Sequence, residues 1–231
     1  MNFTEPLNRI LGRLSQVRIL RFMIKTGVSM SGREIAQAVG LSHVQANSAL
    51  RDLAGQGIVS VRRVGRSNLY ELQPDHIIVR EWLRPLFRRE QELEERLAEI
   101  VVRHLGVKPE SLILFGSVAR GTEGPGSDID LLCVFPDRHS ARSGEKELLE
   151  AGEEVVRLFG NRLAPQVIIK KDLLRKSREG DRFIKTVIRG GKVIYGRTLP
   201  EMRITNPRSK NPLHPTGVGG QGGEAVFSSV S

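Results

Sequence analysis

Residues 112–132 read LILFGSVARGTEGPGSDIDLL, and they organise the second half of this 231-residue chain. The apolar run 112–115 predicts a short buried strand that ends at a glycine and a serine. A glycine at this point lets the backbone approach a phosphate group. Ser117 and the free N–H groups of a helix start can then hold phosphate oxygens. Gly116 and Ser117 therefore form a candidate phosphate cradle.

A pair of carboxylates follows the loop 122–127, which is rich in glycine and proline. Asp128 and Asp130 open a second predicted strand, 128–132. Side chains at positions i and i+2 of a strand share one face, so the two carboxylates project together. Carboxylate oxygens are hard ligands that suit Mg²⁺. Separately, an Asp-x-Asp pair is compatible with a solvated strand edge and Gly-Ser with an ordinary turn, but their combination is rare.

The Gly-Ser-x10-Asp-x-Asp arrangement resembles the signature of the DNA polymerase beta-like nucleotidyltransferase superfamily, in particular its minimal members and the kanamycin nucleotidyltransferase relatives. The likeness extends over residues 107–196 and implies an α/β (α+β) domain with a small mixed sheet. It implies that Asp128 and Asp130 hold two Mg²⁺ ions on the phosphates of ATP or another nucleoside triphosphate. Ser117 and the Gly116 backbone would grip the β- and γ-phosphates while an acceptor hydroxyl attacks the α-phosphorus.

The resemblance also bears on Arg120 and on the acceptor. Arg120 would either neutralise phosphate charge or brace the loop through a local ion pair, and both roles are open at this point. The expected transferred group is AMP from ATP, moved to a hydroxyl of a protein or a small molecule. Minimal family members often act as antitoxins that modify a HEPN-type partner, so a toxin of that kind is one expected protein acceptor.

This chain departs from the family pattern at one position. The family normally carries a third carboxylate on a later strand, which here is 164–169, and Gln166 aligns with it. Glutamine cannot act as a base and is a weaker metal ligand. The nearest acid downstream, Asp172, falls at a predicted helix start, where the helix dipole favours it. The domain is therefore either an enzyme or a degenerate domain that only binds a nucleotide or a partner protein.

The N-terminal part, 12–73, predicts three helices followed by two strands, 58–64 and 68–72, that a turn joins at 65–67. Ser31 and Ser42 stand where the second and third helices would be capped, and Gly27 and Gly40 follow the ends of the first and second. The apolar residues expected to face inward are Leu14, Val17, Leu20, Ile24, Ile35, Ala36, Val39, Val44, Leu50 and Leu53.

This order of elements resembles the winged helix-turn-helix domains of small bacterial and archaeal repressors of the ArsR and MarR type. Residues 1–73 carry a formal charge of +6 out of +10 for the whole chain, which indicates a polyanionic partner. The alternative is a solvated surface on a fold that contacts protein. The side chains expected to contact double-stranded DNA are Ser42, His43, Gln45, Asn47, Ser48 and Arg51 on the third helix and Arg62, Arg63 and Arg66 on the hairpin.

The predicted organisation is thus two domains: a mainly α winged helix-turn-helix domain at 1–73 and the nucleotidyltransferase domain at 107–196. A helical linker at 74–106 connects them, and it could instead form the seam of a homodimer. Residues 197–231 are rich in proline and glycine and are predicted to be disordered. Cys133 lies in an apolar run and is expected to be a buried, inert thiol. Without a signal peptide or a membrane-spanning run, we expect a cytoplasmic protein with no membrane contact.

Overall fold

The computed structural model describes residues 1–204. They fall into two compact units, Met1–Arg96 and the residues from Leu97 onward. Each unit buries its own apolar core, so each is described separately. Within the described residues, no helix is long and apolar enough to cross a membrane.

The first unit is a winged helix-turn-helix domain, as the sequence predicts. Its elements are α1 (Pro6–Ile10), α2 (Leu14–Thr26), β1 (Met30–Ser31), α3 (Gly32–Ala38), α4 (His43–Gly55), β2 (Val59–Val64), β3 (Ser67–Leu72), a π-helical turn (Val79–Leu83) and α5 (Arg84–Gln91). The sheet is antiparallel with the order β1-β3-β2, and its short first strand was not predicted. Val64 pairs with Ser67, so the wing turns at Gly65 and Arg66. Gly65 has a φ of 58°, which a type II′ turn requires at this position.

Local capping chemistry sets the helix-turn-helix, and both predicted caps are confirmed. The Ser31 hydroxyl accepts the Glu34 N–H while the Glu34 carboxylate accepts the Ser31 N–H. Ser42 and Gln45 form the same reciprocal box at the start of α4. Such a box satisfies two N–H groups that a helix start leaves unpaired, and losing a cap typically costs about 1 kcal/mol.

Two residues predicted to face inward do not. Val44 is 76% exposed and Leu14 is 66% exposed, so both assignments are wrong. The buried stripe of α4 starts at Ala46 and continues at i+3, i+4 and i+7, which leaves Val44 on the opposite side. In α2 the stripe begins at Gln16, a polar residue that its hydrogen bonds make tolerable in the core. Its amide nitrogen donates to the Arg9 carbonyl at 2.9 Å, and its amide oxygen accepts the Arg13 N–H at 3.1 Å.

The helical segment 74–106 contributes to both cores. Ile78, Val79, Leu83 and Phe87 are buried in the first unit. The Glu90 carboxylate accepts hydrogen bonds from Nε and Nη2 of Arg21 at 2.6 and 2.8 Å. This bidentate ion pair joins α5 to α2. Arg21 makes a second contact with α5, since its guanidinium carbon lies 5.5 Å from the centroid of the Phe87 ring. A linker or homodimer role for residues 74–106 stays a prediction.

The second unit is an α/β domain with a mixed four-stranded sheet, as predicted. Its elements are α6 (Leu93–His104, from Leu97 onward in this unit), β4 (Ser111–Leu114), α7 (Gly116–Arg120), β5 (Ile129–Phe135), α8 (Arg138–Phe159), β6 (Leu163–Ile169), α9 (Lys170–Glu179), α10 (Arg182–Gly190) and β7 (Lys192–Gly196). The strand order is β6-β5-β4-β7. β4 is antiparallel to both neighbours, and β5 is parallel to β6.

Each face of this sheet carries its own core. Leu131, Cys133 and Phe135 of β5 point to one face, where residues of α6 and α8 cover them. Leu132 and Val134 point to the other face and pack with residues of α9 and α10. The prediction of a buried, inert Cys133 is confirmed, because burial raises the pKa of its thiol to about 12.

Disorder was predicted to begin at residue 197, which is too early in the chain. Met202 and Ile204 are buried against the same face of the sheet as Leu132. The backbone N–H of Thr198 donates to the Glu201 carboxylate at 2.7 Å, and the Ile204 N–H donates to the Leu199 carbonyl at 2.9 Å. The prolines near this segment suggested disorder, but a compact turn delivers two apolar side chains to the core. The remainder of that prediction, 205–231, lies outside the described residues.

Two glycines of α8 provide a matched test of the packing in the second unit. A Cβ at Gly144 would collide with the ring of the fully buried Phe135, whereas one at Gly152 would meet only Leu163 Cβ at 3.9 Å. We predict that Gly144→Ala destabilises this unit, because overpacking costs about 1–3 kcal/mol and exceeds the gain in helix propensity. Gly152→Ala is expected to stabilise it by about 0.5–1 kcal/mol. Native-state hydrogen exchange at the β5 amides measures both, and equal effects would contradict the packing described.

Candidate functional site

The turn after β4 and the second carboxylate of the pair lie against each other. Gly116 has a φ of 72°, and a Cβ built there would collide with Oδ2 of Asp130 and lie 2.9 Å from its Cγ. The Phe115 N–H also donates to the Asp130 carbonyl oxygen at 3.0 Å. Both the backbone conformation and the available space therefore require glycine at position 116. The fold thus brings a carboxylate directly to the predicted phosphate cradle.

Asp130 lies in β5 and points away from Ile129, whereas Asp128 immediately precedes this strand, which was predicted to begin at residue 128. Ile129 is buried in the core under α6 and α8, whereas Asp128 is exposed and Asp130 is half-buried. The loop before Asp128 is held by Asn161, whose amide nitrogen donates to the Ser127 carbonyl at 2.9 Å. The Ser127 hydroxyl in turn accepts the Gly124 N–H at 3.0 Å. Sequence reasoning missed Asn161, because an asparagine after Gly160 looks like an ordinary turn residue.

Gln166 lies on the face of the sheet that carries Asp130. In the parallel pair of β5 and β6, Asp130 is opposite Ala164 and Leu132 is opposite Gln166. Opposed residues of a parallel pair share a face, so Gln166 lies two residue pairs along the strands from Asp130 and on the same face, where it is exposed. In residues 1–204, no group of three or more His, Cys, Asp or Glu side chains could hold a metal. Asp172 is in the first turn of α9, as predicted, and pairs with Arg175 at 3.3 Å.

Ser117 and Arg120 both belong to α7. Ser117 is half-buried, and its carbonyl accepts the Thr122 N–H at 3.0 Å. Arg120 is exposed and forms no ion pair with any residue of the described range, so the structure gives no support to a bracing role. Gly121 ends the helix with a φ of 64°. The helix that starts at Gly116 therefore carries one hydroxyl and one guanidinium that forms no ion pair in the described residues.

Chemically, this arrangement suits a divalent cation with phosphates. Asp128 and Asp130 supply anionic oxygens, and the missing side chain at Gly116 lets the Asp130 carboxylate approach the backbone of the turn. Gln166 adds a neutral amide oxygen on the same face, which completes a weaker donor set than three carboxylates would. The residues present therefore fit a magnesium–nucleotide complex, with one anionic ligand fewer than the family pattern.

The first unit gathers some of the predicted DNA-contacting side chains but not all of them. A cleft of about 340 Å³ runs between α3, the start of α4 and the wing. Its lining residues are Ser31, Gly32, Arg33, His43, Asn47, Arg66, Ser67, Asn68 and Tyr70. The cleft therefore brings together His43, Asn47 and Arg66 of the prediction. Arg33 also lines it and was missed, because nothing in its local sequence marks it.

The other predicted contacts are distributed differently. Ser42 and Gln45 are committed to the helix cap described above. Arg51 lines a second cleft, of about 460 Å³, together with Arg9 and Arg13. Ser48 accepts a 3.5 Å hydrogen bond from Arg13, which also pairs with Asp52 at 2.9 Å.

The wing arginines Arg62 and Arg63 are exposed and stand opposite Leu69 and Asn68 in the hairpin. As neighbours along a strand they project to opposite faces of the wing.

Comparison with known proteins bears on the second unit. Residues 94–188 match the family model of the nucleotidyltransferase domain. A Methanocaldococcus jannaschii protein named "Putative protein adenylyltransferase" is 37% identical over 90 residues, which cover 38% of this chain and 58% of that protein. A poly(A) polymerase of Dictyostelium discoideum is 39% identical over 66 residues, 29% of this chain and 7% of that protein. The chain thus spans only part of the length of these curated relatives.

For the first unit, a winged helix-turn-helix DNA-binding domain of Mycobacterium bovis is 22% identical. The match covers 39% of this chain and 77% of that one, with a TM-score of 0.30. A likeness this low adds nothing to what the helix order and the wing already show. The family match, by contrast, spans the elements that carry Gly116, Ser117, Asp128, Asp130 and Gln166. Residues 94–188 are therefore a nucleotidyltransferase domain, which follows a winged helix-turn-helix domain in the same chain.

Proposed function

We propose that the protein is a Mg²⁺-dependent nucleotidyltransferase that transfers AMP from ATP to a hydroxyl group of an acceptor. The observation that carries the proposal is the placement of the Asp130 carboxylate against Gly116, which brings a carboxylate to the turn that is predicted to bind phosphate. The name of the Methanocaldococcus jannaschii relative supports AMP as the transferred group and a protein as the acceptor. A HEPN-type toxin as that acceptor stays a prediction.

In this mechanism Asp128 and Asp130 would hold the cation, and Ser117 with the Gly116 backbone would hold the β- and γ-phosphates. Arg120 neutralises further phosphate charge. Mg²⁺, when bound, aligns the phosphates and offsets charge that develops on them. The acceptor oxygen forms a bond to the α-phosphorus, the bond from that phosphorus to the β-phosphate oxygen breaks, and pyrophosphate leaves. Because Gln166 cannot take the acceptor proton, that proton passes to water or to a substrate phosphate oxygen.

A second function is favoured by the same glutamine and by the basic cleft of the first unit. In it, the chain is a DNA-binding regulator whose nucleotidyltransferase domain binds a nucleotide or a partner without turnover. The two functions differ in one observable: the regulator binds ATP without releasing pyrophosphate. A third alternative is a scaffold protein that uses neither the nucleotide site nor the DNA-binding surface, and it predicts no ATP binding.

The Asp130 carboxylate is the first group to test. We predict that Asp130→Asn lowers Mg²⁺-dependent labelling by α-³²P-ATP about 100-fold or more, because it removes an anionic metal ligand at the phosphate turn. Asp172→Asn, in the first turn of α9 and outside the cradle, is the matched control and is expected to retain activity. The measurement is labelling of targets in lysate of the native host, together with pyrophosphate release. No labelling by the unaltered protein with either Mg²⁺ or Mn²⁺ would refute the enzymatic function.

Gln166 decides between the two functions. If the site is an enzyme that lacks its base, Gln166→Asp is expected to raise the rate about 10²–10⁴-fold, the usual contribution of a general base. Gln166→Asn changes the side-chain length without adding a charge and is expected to gain nothing. Pyrophosphate release at saturating ATP measures the rate. If Gln166→Asp binds ATP but releases no pyrophosphate, the degenerate regulator is the better description.

DNA binding by the first unit is tested at the cleft that contains Asn47 and Arg66. We predict that Arg66→Ala weakens binding to every duplex and lowers the slope of log K against log salt concentration by about 1, because one phosphate contact is lost. Asn47→Ala is expected to relax base preference at one position, since asparagine recognises adenine edges. Selection from random duplexes, followed by salt titration, measures both. Arg142→Ala on the exposed side of α8 is the control, and an equal effect there would refute a specific surface.

A further inference from the structure

We propose that Phe183, at the start of α10, provides the surface on which the base of the bound nucleoside triphosphate stacks. This inference rests on the proposed function, because it concerns the nucleotide held at Gly116, Ser117 and the two aspartates. It assigns a role to a residue that no sequence motif marks. It also describes how a site with a weakened metal-ligand set would retain its nucleotide.

The position of Phe183 follows from its contact with Phe115. The two ring centroids are 5.3 Å apart and the ring planes meet at 83°, an edge-to-face pair. Phe115 directly precedes Gly116, and its N–H is bonded to the Asp130 carbonyl. The Phe183 ring is therefore one aromatic contact away from the phosphate turn. In a nucleoside triphosphate, the ribose likewise separates the base from the phosphates, so a base would lie beside the phosphate turn and not within it.

The exposure of Phe183 distinguishes it from its neighbours in the same helix. Ile184 and Val187 are at most 1% exposed and anchor α10 to the sheet, whereas Phe183 is 39% exposed. The helix start is also fixed, because the Asp181 carboxylate accepts the Ile184 N–H at 3.0 Å. A rigid helix thus holds an aromatic ring that is supported by Phe115 and open to solvent. This is the arrangement of a stacking platform, since every nucleobase has a π-face that such a ring can cover.

The surroundings of Phe183 favour a base over an apolar ligand. Arg182 and Lys185 flank it in sequence, and neither forms an ion pair within residues 1–204. The Lys185 ammonium lies near Gly180, at the C-terminus of α9, where the helix dipole favours a cation. Lys185 is thus engaged at the end of α9, whereas Arg182, next to Phe183 in sequence, remains exposed beside a ring that is open to solvent. A cation and an exposed ring at the same helix start suit a ligand that is both aromatic and anionic. A nucleotide has both properties.

The test separates recognition of the base from recognition of the phosphates. The full chain is titrated calorimetrically with ATP and, separately, with inorganic tripolyphosphate, both with Mg²⁺. We expect Phe183→Ala to raise the Kd for ATP about 5- to 100-fold, the effect of losing one base–aromatic stack, and to leave the Kd for tripolyphosphate unchanged. Phe183→Tyr keeps the ring and should bind ATP as the unaltered protein does. Phe3→Ala removes a 90% exposed phenylalanine of the first unit and should change neither.

Each outcome has a separate meaning. If Phe183→Ala binds ATP as tightly as the unaltered protein does, the stacking role is wrong while the proposed function stands. The same conclusion follows if the substitution weakens the binding of ATP and of tripolyphosphate equally. If the unaltered protein binds neither ligand, both the stacking role and the proposed function fail. Unchanged tripolyphosphate binding by Phe183→Ala also shows that the domain remains folded, so a loss confined to ATP supports the inference.

Discussion

The Asp130 carboxylate lies against the α-carbon of Gly116, and the chemistry of the second unit depends on this contact. The antiparallel pairing of β4 with β5 puts the end of one strand beside the start of the other. A left-handed glycine then turns the chain so closely over the carboxylate that no side chain fits between them. This contact is what brings a carboxylate to the turn at which the proposed function places the phosphates. Asn161 holds the loop that leads to Asp128 and so maintains the other carboxylate.

Gln166 limits what this site can do. A third carboxylate on the same face would complete the metal site and accept the acceptor proton, whereas an amide does neither. The parallel register of β5 and β6 leaves no doubt about its face, because Leu132 and Gln166 are opposed. Binding of a nucleotide needs fewer groups than its transfer. A chain that joins such a site to a winged helix-turn-helix domain could therefore use ATP as a substrate or as a signal.

The first unit shows how local chemistry prepares a surface. The two capping boxes fix the starts of α3 and α4, and the second commits Ser42 and Gln45 to the backbone. Side chains that remain uncommitted, notably Arg66 at the wing tip, then lie around one cleft with His43 and Asn47. Some polar residues of a helix are thus used in hydrogen bonds to its own backbone, and others remain available to a ligand. Only the hydrogen-bond pattern separates them.

Helix caps, strand runs and the Gly-Ser and Asp-x-Asp pairs could be predicted from the sequence, because each depends on residues a few positions apart. The order of helices and strands in the first unit followed from these local rules, whereas the mixed sheet of the second unit was implied by the resemblance to a known family. Other features depend on distant contacts. Val44 and Leu14 face solvent because the elements that pack against each helix determine which of its faces is buried. Met202 is buried because it packs on a face of the sheet that other elements leave partly open. The support from Asn161 and the exposed ring of Phe183 likewise arise only when separate elements pack together, so the tertiary structure alone decided them.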